Sequence, residues 1–229
     1  MIKALIFDFD GLIIETEEPI YRSWLELYQS LGVPLPFSTW ADVIGVAAEG
    51  FDPFDNLEKQ LGRSLDREQI VPRRQARELE LITALPILPG VKDTLIDARG
   101  LGLKNGLASS SSCEWVTGHL RRLELIDYFD CIRGKDDVML AKPDPELFLA
   151  VLDDLNIQPQ QAIVFEDSPN GILAAKRAGL FCIAVPTPLT RQLPLDQADM
   201  QINSLADMPL RDLILEITPL LGSAGRSIS

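Results

Sequence analysis

The chain has few of the residues that build disulfide frameworks, zinc sites and histidine-based catalysis. Its three cysteines, Cys113, Cys131 and Cys182, are widely spaced and include no CxxC pair. An odd number of such cysteines predicts neither a disulfide framework nor a zinc site. The one histidine, His119, lies in the helical pattern "WVTGHLRRLEL". We expect it to be a half-exposed helix residue rather than a catalyst.

Positive charge and long apolar runs are also scarce. The 21 basic residues are outnumbered by 34 acidic ones, which gives a formal net charge of -13. Such a chain repels polyanions, so we predict no nucleic-acid partner and no membrane surface. The apolar run at the start stops at Asp8, too soon for an export signal, and no apolar stretch is long enough to cross a bilayer. These features predict a cytoplasmic protein, and a monomer is the simplest expectation.

What the sequence does contain is an alternation of short apolar runs and longer amphipathic segments. The apolar runs predict strands at residues 4–7, 104–108, 162–165, 181–185 and 200–202. The segments between most of them carry apolar residues at helical spacing. This alternation predicts an α/β fold with a Rossmann-like, doubly wound parallel sheet and helices on both of its faces.

One stretch interrupts the alternation. From about residue 17 to residue 85 the patterns are helical, and the chain returns to the sheet at "LPILPGV", whose prolines suit a stiff linker. The stretch is either a set of extra helices packed on the sheet or a cap domain inserted after the first strand. Its position just beyond Asp8 and Asp10 favours the cap. We therefore predict a core of residues 1–14 and 88–229 and an all-helical cap of residues 15–87.

Acidic residues, a serine and a lysine lie close to the ends of the predicted strands. In parallel α/β sheets, ligands bind beyond the carboxyl ends of the strands. Each such side chain alone could be a helix cap, a solvated lysine or a surface charge. Four carboxylates at one sheet edge, however, need a cation, and hard oxygen ligands favour Mg²⁺ with room for a phosphate. These candidate residues are Asp8, Asp10, Ser109, Lys142, Glu166 and Asp167.

Four motifs carry a family resemblance. In order, "DFDGLIIETE", "LASSS", "KPDPELF" and "FEDSPNGI" resemble the signature motifs of the haloacid dehalogenase superfamily. The chain looks most like its β-phosphoglucomutase-like branch of small phosphatases and mutases with a helical cap. The resemblance extends from residue 3 to about residue 210. It implies a Mg²⁺-dependent enzyme that acts on a small phosphorylated metabolite.

The resemblance also implies roles for the four acidic residues. Asp8 would be the nucleophile that forms an aspartyl-phosphate, and Asp10 would be the general acid and base. Mg²⁺ would be held by Asp8, the backbone carbonyl of Asp10 and Asp167. Glu166 would be either a further ligand or a partner of the ligands.

Further residues of the motifs would contact the phosphate or the rest of the substrate. The resemblance implies that Ser109 hydrogen-bonds a phosphoryl oxygen and that Lys142 offsets negative charge. It also implies substrate contacts for Gly11, Thr16 and Ser110. Alternatively, Gly11 only turns the chain and Thr16 only caps a helix.

The cap sequence departs from that of a β-phosphoglucomutase. That enzyme holds a second phosphate with a lysine before a glycine and an arginine after it, whereas this chain reads "VIGVAAEG", with Ile44 before Gly45. Ser112 and Cys113 also stand where a mutase has arginine and asparagine. We therefore predict hydrolysis of one phosphate monoester, such as a sugar phosphate, with Gly45 and Glu49 near its distal part. A β-phosphoglucomutase-type mutase is the alternative.

Overall fold

Among the residues that the computed structural model describes, 1–41 and 52–221, six parallel strands form one sheet. Their order across the sheet is β3-β2-β1-β4-β5-β6, the order of a Rossmann-like fold. The predicted fold class is confirmed. The strands are β1 Ala4–Phe7, β2 Lys104–Ala108, β3 Cys131–Arg133, β4 Ala162–Glu166, β5 Phe181–Ala184 and β6 Met200–Gln201.

The strand predictions match the structure except at one edge. Strands β1 and β2 have the predicted bounds, and β4, β5 and β6 differ from their predictions by one residue. Strand β3 was not predicted. It has only three residues, all of them half-buried, so its sequence lacks the apolar run that marks the central strands.

The helices are α1 Glu17–Ser30, α2 Phe37–Ala41, α3 Pro53–Leu61, α4 Arg67–Thr83, α5 Val91–Gly100, α6 Cys113–Arg122, α7 Glu146–Leu155, α8 Pro169–Arg177 and α9 Leu210–Leu221. Helices α5 to α9 pack on the two faces of the sheet. On β1, Leu5 and Phe7 belong to a core that includes residues of α5, α6 and α9, whereas Ala4 and Ile6 face a second core with α7 and α8. This alternation follows from the period of a strand.

From residue 17 to residue 85 the regular elements that the structure describes are helices, joined by short turns and loops. Helices α1 to α4 have an apolar cluster of their own, distinct from the two cores under the sheet. We call it the insertion cluster. Its buried members are Trp24, Tyr28, Leu35, Trp40, Phe54 and Leu57.

Polar side chains fix where several helices begin. The Asp52 side chain accepts a hydrogen bond from the backbone N–H of Asp55 before α3, and Ser168 accepts one from Gly171 before α8. In both helices proline holds the first position. This combination is typical of helix starts, because proline lacks the N–H that would stay unpaired there. The described part of the chain contains no helix with the length and apolar character that crossing a membrane requires.

The insertion cluster predicts a difference between two leucine substitutions. Leu57 is fully buried in it, whereas Leu79 on α4 is 51% exposed. Leu57→Ala leaves a cavity and is expected to lower the free energy of unfolding by about 2–5 kcal/mol. Leu79→Ala, the control, is expected to change it by no more than about 0.5 kcal/mol. Urea unfolding followed by tryptophan fluorescence measures both, and equal effects would contradict the burial of Leu57 in the insertion cluster.

Candidate active site

The candidate acidic residues meet where the strand order reverses. Asp8 follows β1, Glu166 ends β4, and the two strands pair in register with Phe7 beside Phe165. The carboxylates of Asp8, Glu166 and Asp167 are buried, and one oxygen of each lies within 4.8 Å of the others. A cleft of about 530 Å³ opens over this acidic cluster. Ligands of doubly wound sheets bind in such a crevice.

Lys142 connects two members of the acidic cluster. Its Nζ donates hydrogen bonds to Asp8 and, at 2.6 Å, to Oε1 of Glu166. The lysine side chain is only 5% exposed. Burial alone lowers the pKa of Lys142, but the adjacent carboxylates outweigh burial and raise it. The lysine therefore stays protonated beside Asp8.

Glu166 is fully engaged by hydrogen-bond donors. While Oε1 accepts from Lys142, Oε2 accepts from the backbone N–H groups of Asp167 and Ser168, both at 2.9 Å, and from the Ser168 hydroxyl at 3.1 Å. Gly171 on α8 makes room for this carboxylate, since a Cβ atom there would overlap it. This arrangement lets Glu166 orient Lys142, and one of its oxygens also lies within 4.8 Å of an oxygen of Asp8 and of Asp167, so both of its implied roles stay predictions.

Asp167 has its carboxylate available. Its side chain accepts no hydrogen bond from the described residues, and it lies against the backbone of Gly11. Gly11 has a φ of +80°, and a Cβ atom there would overlap the Asp167 carboxylate. Gly11 thus turns the chain and leaves space for Asp167. It lines a neighbouring cleft rather than the cleft over the acidic cluster.

The acidic cluster has the electrostatics of a cation site. Burial raises the pKa of Asp8 to about 8, Lys142 opposes the rise, and Glu166 and Asp10 add to it. Burial and the charges of Glu166 and Asp8 also raise the pKa of Asp167 well above its ordinary value. One lysine therefore does not balance these charges. Buried carboxylate oxygens at this spacing fit a hard divalent cation such as Mg²⁺.

Asp10 points its carboxylate toward a different set of partners. Its Oδ1 accepts hydrogen bonds from the Thr16 hydroxyl at 2.8 Å and the Trp115 Nε1 at 3.3 Å, and its Oδ2 accepts one from the Ser111 hydroxyl at 2.6 Å. The carboxylate is thus fixed in the wall of the cleft, outside the acidic cluster. The backbone carbonyl of Asp10 as a metal ligand stays a prediction.

One of the serines after β2 is buried, and the three that follow it line the cleft. Ser109 is buried, and its hydroxyl accepts from the backbone N–H of Ser111 at 3.0 Å. Ser110, Ser111 and Ser112 line the cleft. Ser112 also accepts from the N–H of Trp115 as the N-cap of α6. Ser109 does not line the cleft, and its predicted contact with a phosphate stays a prediction.

Three results differ from or lie beyond the sequence analysis. His119 is buried at 7% exposure, so the half-exposed position predicted for it is wrong. Its ring packs on Trp115, with centroids 4.4 Å apart, and on Phe9, because the apolar face of α6 turns toward the sheet. No site role was predicted for Trp115. Its position in the first turn of a helix that follows serines at a strand end could have indicated one. Gly45 and Glu49 lie outside the described residues.

Comparisons with known proteins agree with this geometry. The family model described as haloacid dehalogenase-like hydrolase matches residues 5–185. The chain is 45% identical over 214 residues, 93% of its length and 97% of the other's, to the protein YhcW of Bacillus subtilis (strain 168), whose name carries a provisional phosphatase assignment. It is 32% identical to hexitol phosphatase B of Escherichia coli (strain K12), over 93% of this chain and 97% of that one.

A solved structure extends the comparison to the fold. The β-phosphoglucomutase of Clostridium difficile superposes with a TM-score of 0.75 at 25% identity, covering 97% of this chain and 100% of that one. The relatives thus include both phosphatases and a mutase.

The space that Gly171 leaves for Glu166 predicts opposite effects of two glycine substitutions. Alanine is the better helix former by about 1 kcal/mol. Gly118→Ala on α6, where a Cβ atom meets nothing within 4 Å, is therefore expected to raise the free energy of unfolding. Gly171→Ala is expected to lower it by about 1–3 kcal/mol, because the new methyl group displaces a buried carboxylate. Urea unfolding of both variants measures the signs, and stabilisation by Gly171→Ala would contradict the packing described.

Proposed function

The chain belongs to the haloacid dehalogenase-like hydrolase family, and on that premise we propose that it is a Mg²⁺-dependent phosphatase. Its substrate would be a small phosphate monoester, hydrolysed through an aspartyl-phosphate. The observation that carries the proposal is the buried cluster of Asp8, Glu166 and Asp167 with Lys142 in one cleft. A relative named hexitol phosphatase B supports a sugar phosphate or similar metabolite as substrate.

The residues present suit Mg²⁺. Asp8, Asp167 and the backbone carbonyl of Asp10 would hold it, since Glu166 already accepts from four donors. When bound, the ion would neutralise carboxylate charge and permit a phosphate dianion to approach. With the ion in place, Asp8 would be ionised and able to act as a nucleophile.

Asp8 and Asp10 would divide the chemistry between them. An oxygen of Asp8 would attack phosphorus while the bond from phosphorus to the leaving oxygen breaks, and Asp10 would donate a proton to that leaving alkoxide, which departs as the alcohol. Asp10 would then take a proton from water, whose oxygen attacks the aspartyl-phosphate. This second step releases inorganic phosphate and restores Asp8. Lys142 would stabilise negative charge on the phosphoryl oxygens during both steps.

The helical segment supplies part of the cleft. Glu17 and Ile20 of α1 and Glu78 of α4 line it together with residues of the sheet edge. We propose that residues 15–87 are a cap domain on a core of residues 1–14 and 88–229. Movement of such a cap about its two linkers would admit substrate and then exclude bulk water.

Hydrolysis accounts for the charges of the cleft better than a mutase reaction. Among the described residues, Lys135 and Lys142 are the basic residues that line it, and Lys142 is paired with Asp8 and Glu166. Residues 42–51 contain no lysine, arginine or histidine. A second phosphate on the substrate would thus meet little positive charge.

The raised carboxyl pKa values predict how stability depends on pH and on Mg²⁺. In the metal-free protein the pKa of Asp8 is raised to about 8, so the protonated form of Asp8 favours the folded state. This contribution to stability is complete below the ordinary pKa of an aspartate and is lost as the pH rises through about 8. We expect the metal-free protein to lose thermal stability between pH 5 and pH 8. Because protons compete with metal, Mg²⁺ should raise Tm more at pH 8 than at pH 5.

Thermal unfolding with and without Mg²⁺ tests this dependence. An ion concentration of one hundred times Kd is expected to raise Tm by roughly 5–10 °C at pH 8. Asp167→Asn, which removes a proposed ligand, should abolish most of that shift. An equal shift at both pH values, or a full shift in Asp167→Asn, would count against the metal site.

Substitution of the two aspartates after β1 tests the proposed chemistry. With Mg²⁺ and a panel of sugar phosphates, Asp8→Asn should abolish phosphate release, and Asp10→Asn should lower kcat by about 10²–10⁴-fold. Asp93→Asn, at an exposed position on α5, is the control and should retain activity. Rapid isomerisation of β-glucose 1-phosphate with a 1,6-bisphosphate primer, without phosphate release, would contradict the phosphatase proposal and show that the enzyme is a mutase.

A further inference from the structure

Three side chains from different parts of the chain hold the carboxylate of the proposed proton donor, Asp10. The Thr16 hydroxyl and the Trp115 indole N–H donate to its Oδ1, and the Ser111 hydroxyl donates to its Oδ2. Thr16 and Ser111 belong to the motifs that carry the family resemblance, whereas Trp115 lies outside all four of them. The contact between Trp115 and Asp10 therefore needs an explanation of its own.

The indole N–H differs chemically from the two hydroxyls. A hydroxyl can rotate and either donate or accept a hydrogen bond, whereas an indole N–H only donates. Oδ1 of Asp10 is therefore kept as an acceptor by its contact with Trp115. When Asp10 carries a proton, that proton belongs on Oδ2, where the Ser111 hydroxyl can turn and accept. The indole thus distinguishes the two oxygens of the carboxyl group.

Trp115 is itself held at its backbone and at its ring. Its backbone N–H donates to Oγ of Ser112, the N-cap of α6, at 3.3 Å. Its ring packs edge-on against His119, with centroids 4.4 Å apart, and His119 is buried between this ring and Phe9. The indole also lines the cleft. Trp115 therefore presents its N–H from a fixed position in the cleft wall.

Arg122 supports this position from the far side of His119. Its Nε donates to Nδ1 of His119 at 3.4 Å, and its Nη1 donates to the backbone carbonyls of Thr83 at 3.0 Å and Leu85 at 3.3 Å. The imidazole on which the indole packs is thus tied to the end of α4. A side chain supported in this way can hold another group within the narrow range of orientations that proton transfer requires.

We propose that Trp115 is a positioning residue that keeps Oδ1 of Asp10 as an acceptor and leaves Oδ2 to carry the transferable proton. The proposal rests on the phosphatase function proposed above. As the bond from phosphorus to the leaving oxygen breaks, the O–H bond at Oδ2 breaks and its proton moves to the leaving alkoxide. In the second step, Oδ2 takes a proton from the water whose oxygen attacks the aspartyl-phosphate. Without the indole N–H, either oxygen can hold the proton and fewer molecules are ready to transfer it.

Aryl phosphates that differ in their leaving group test this role. Trp115→Phe removes the N–H and keeps an aromatic ring. Phenol needs a proton as it leaves, whereas 2,4-dinitrophenol leaves as a stable anion. With Mg²⁺, Trp115→Phe is expected to lower kcat/KM about tenfold for phenyl phosphate, the size of one hydrogen bond to a charged group. For 2,4-dinitrophenyl phosphate the fall should be less than about twofold, and p-nitrophenyl phosphate should lie between.

A second tryptophan provides the matched control. Trp40 is 2% exposed in the insertion cluster, and its Nε1 has no hydrogen-bond partner among the described residues. Trp40→Phe makes the same chemical change without the loss of a hydrogen bond, so it should keep the wild-type dependence on leaving group. In an Asp10→Ala background, Trp115→Phe should change kcat/KM for phenyl phosphate by less than about twofold, because both substitutions act through one carboxyl group.

The indole N–H signals of the ¹⁵N-labelled protein give a readout that needs no turnover. The chain has three tryptophans, Trp24, Trp40 and Trp115. Asp10→Ala should move the signal of Trp115 upfield, because its N–H loses an acceptor, and should leave the other two in place. Trp24→Phe and Trp40→Phe assign those two signals by their loss. This measurement is therefore independent of whether Trp115→Phe folds.

The outcomes separate this proposal from the proposed function. If Trp115→Phe lowered kcat/KM equally for the three aryl phosphates, or left it unchanged, the positioning role alone would be overturned. Asp10→Ala without effect on the Trp115 signal would overturn it as well. If the wild-type enzyme with Mg²⁺ hydrolysed neither aryl nor sugar phosphates, both proposals would fail.

Discussion

The ion pairs that Lys142 makes with Asp8 and Glu166 are the interaction on which the rest of the site depends. They join the ends of β1 and β4 to the loop before α7. Burying three charged groups costs solvation free energy, which is recovered only when each has good partners. Glu166 meets this condition through the N–H groups before α8 and the space at Gly171. Asp8 has Lys142 as its one cationic partner among the described residues, so a further cation at this site would stabilise its charge.

A second network connects the helical segment to the proposed acid and base. The Asp10 carboxylate accepts from Thr16 before α1 and from Trp115 on α6. On the same helix, Arg122 donates to the backbone carbonyl of Thr83 and lies beside His119, which packs on Trp115. Two contacts of helices α1–α4 with the rest of the chain therefore lead to Asp10, one directly from Thr16 and one through His119 and Trp115. This arrangement couples the position of that segment to the proposed proton donor, which suits an enzyme that must exclude water before it reacts.

The sequence predicted the sheet and the acidic residues that gather at its edge better than the walls of the cleft. Central strands such as β1 are recognisable because burial on both faces demands continuous apolar runs, and Asp8 and Asp167 are recognisable because they follow such runs. The contributions of Trp115, Glu17 and Glu78 depend instead on how α6, α1 and α4 rotate toward the cleft. That rotation is set by packing between segments far apart in sequence, and no local pattern records it.

The central claim is that phosphorus bonds covalently to the residue that ends β1. The most direct test is to mix the enzyme with Mg²⁺ and a phosphate monoester, quench in acid within milliseconds and map the phosphoryl group by mass spectrometry. The account predicts that the added mass lies on Asp8, in the peptide that contains "DFDGL". A phosphoryl group on any other side chain would contradict it.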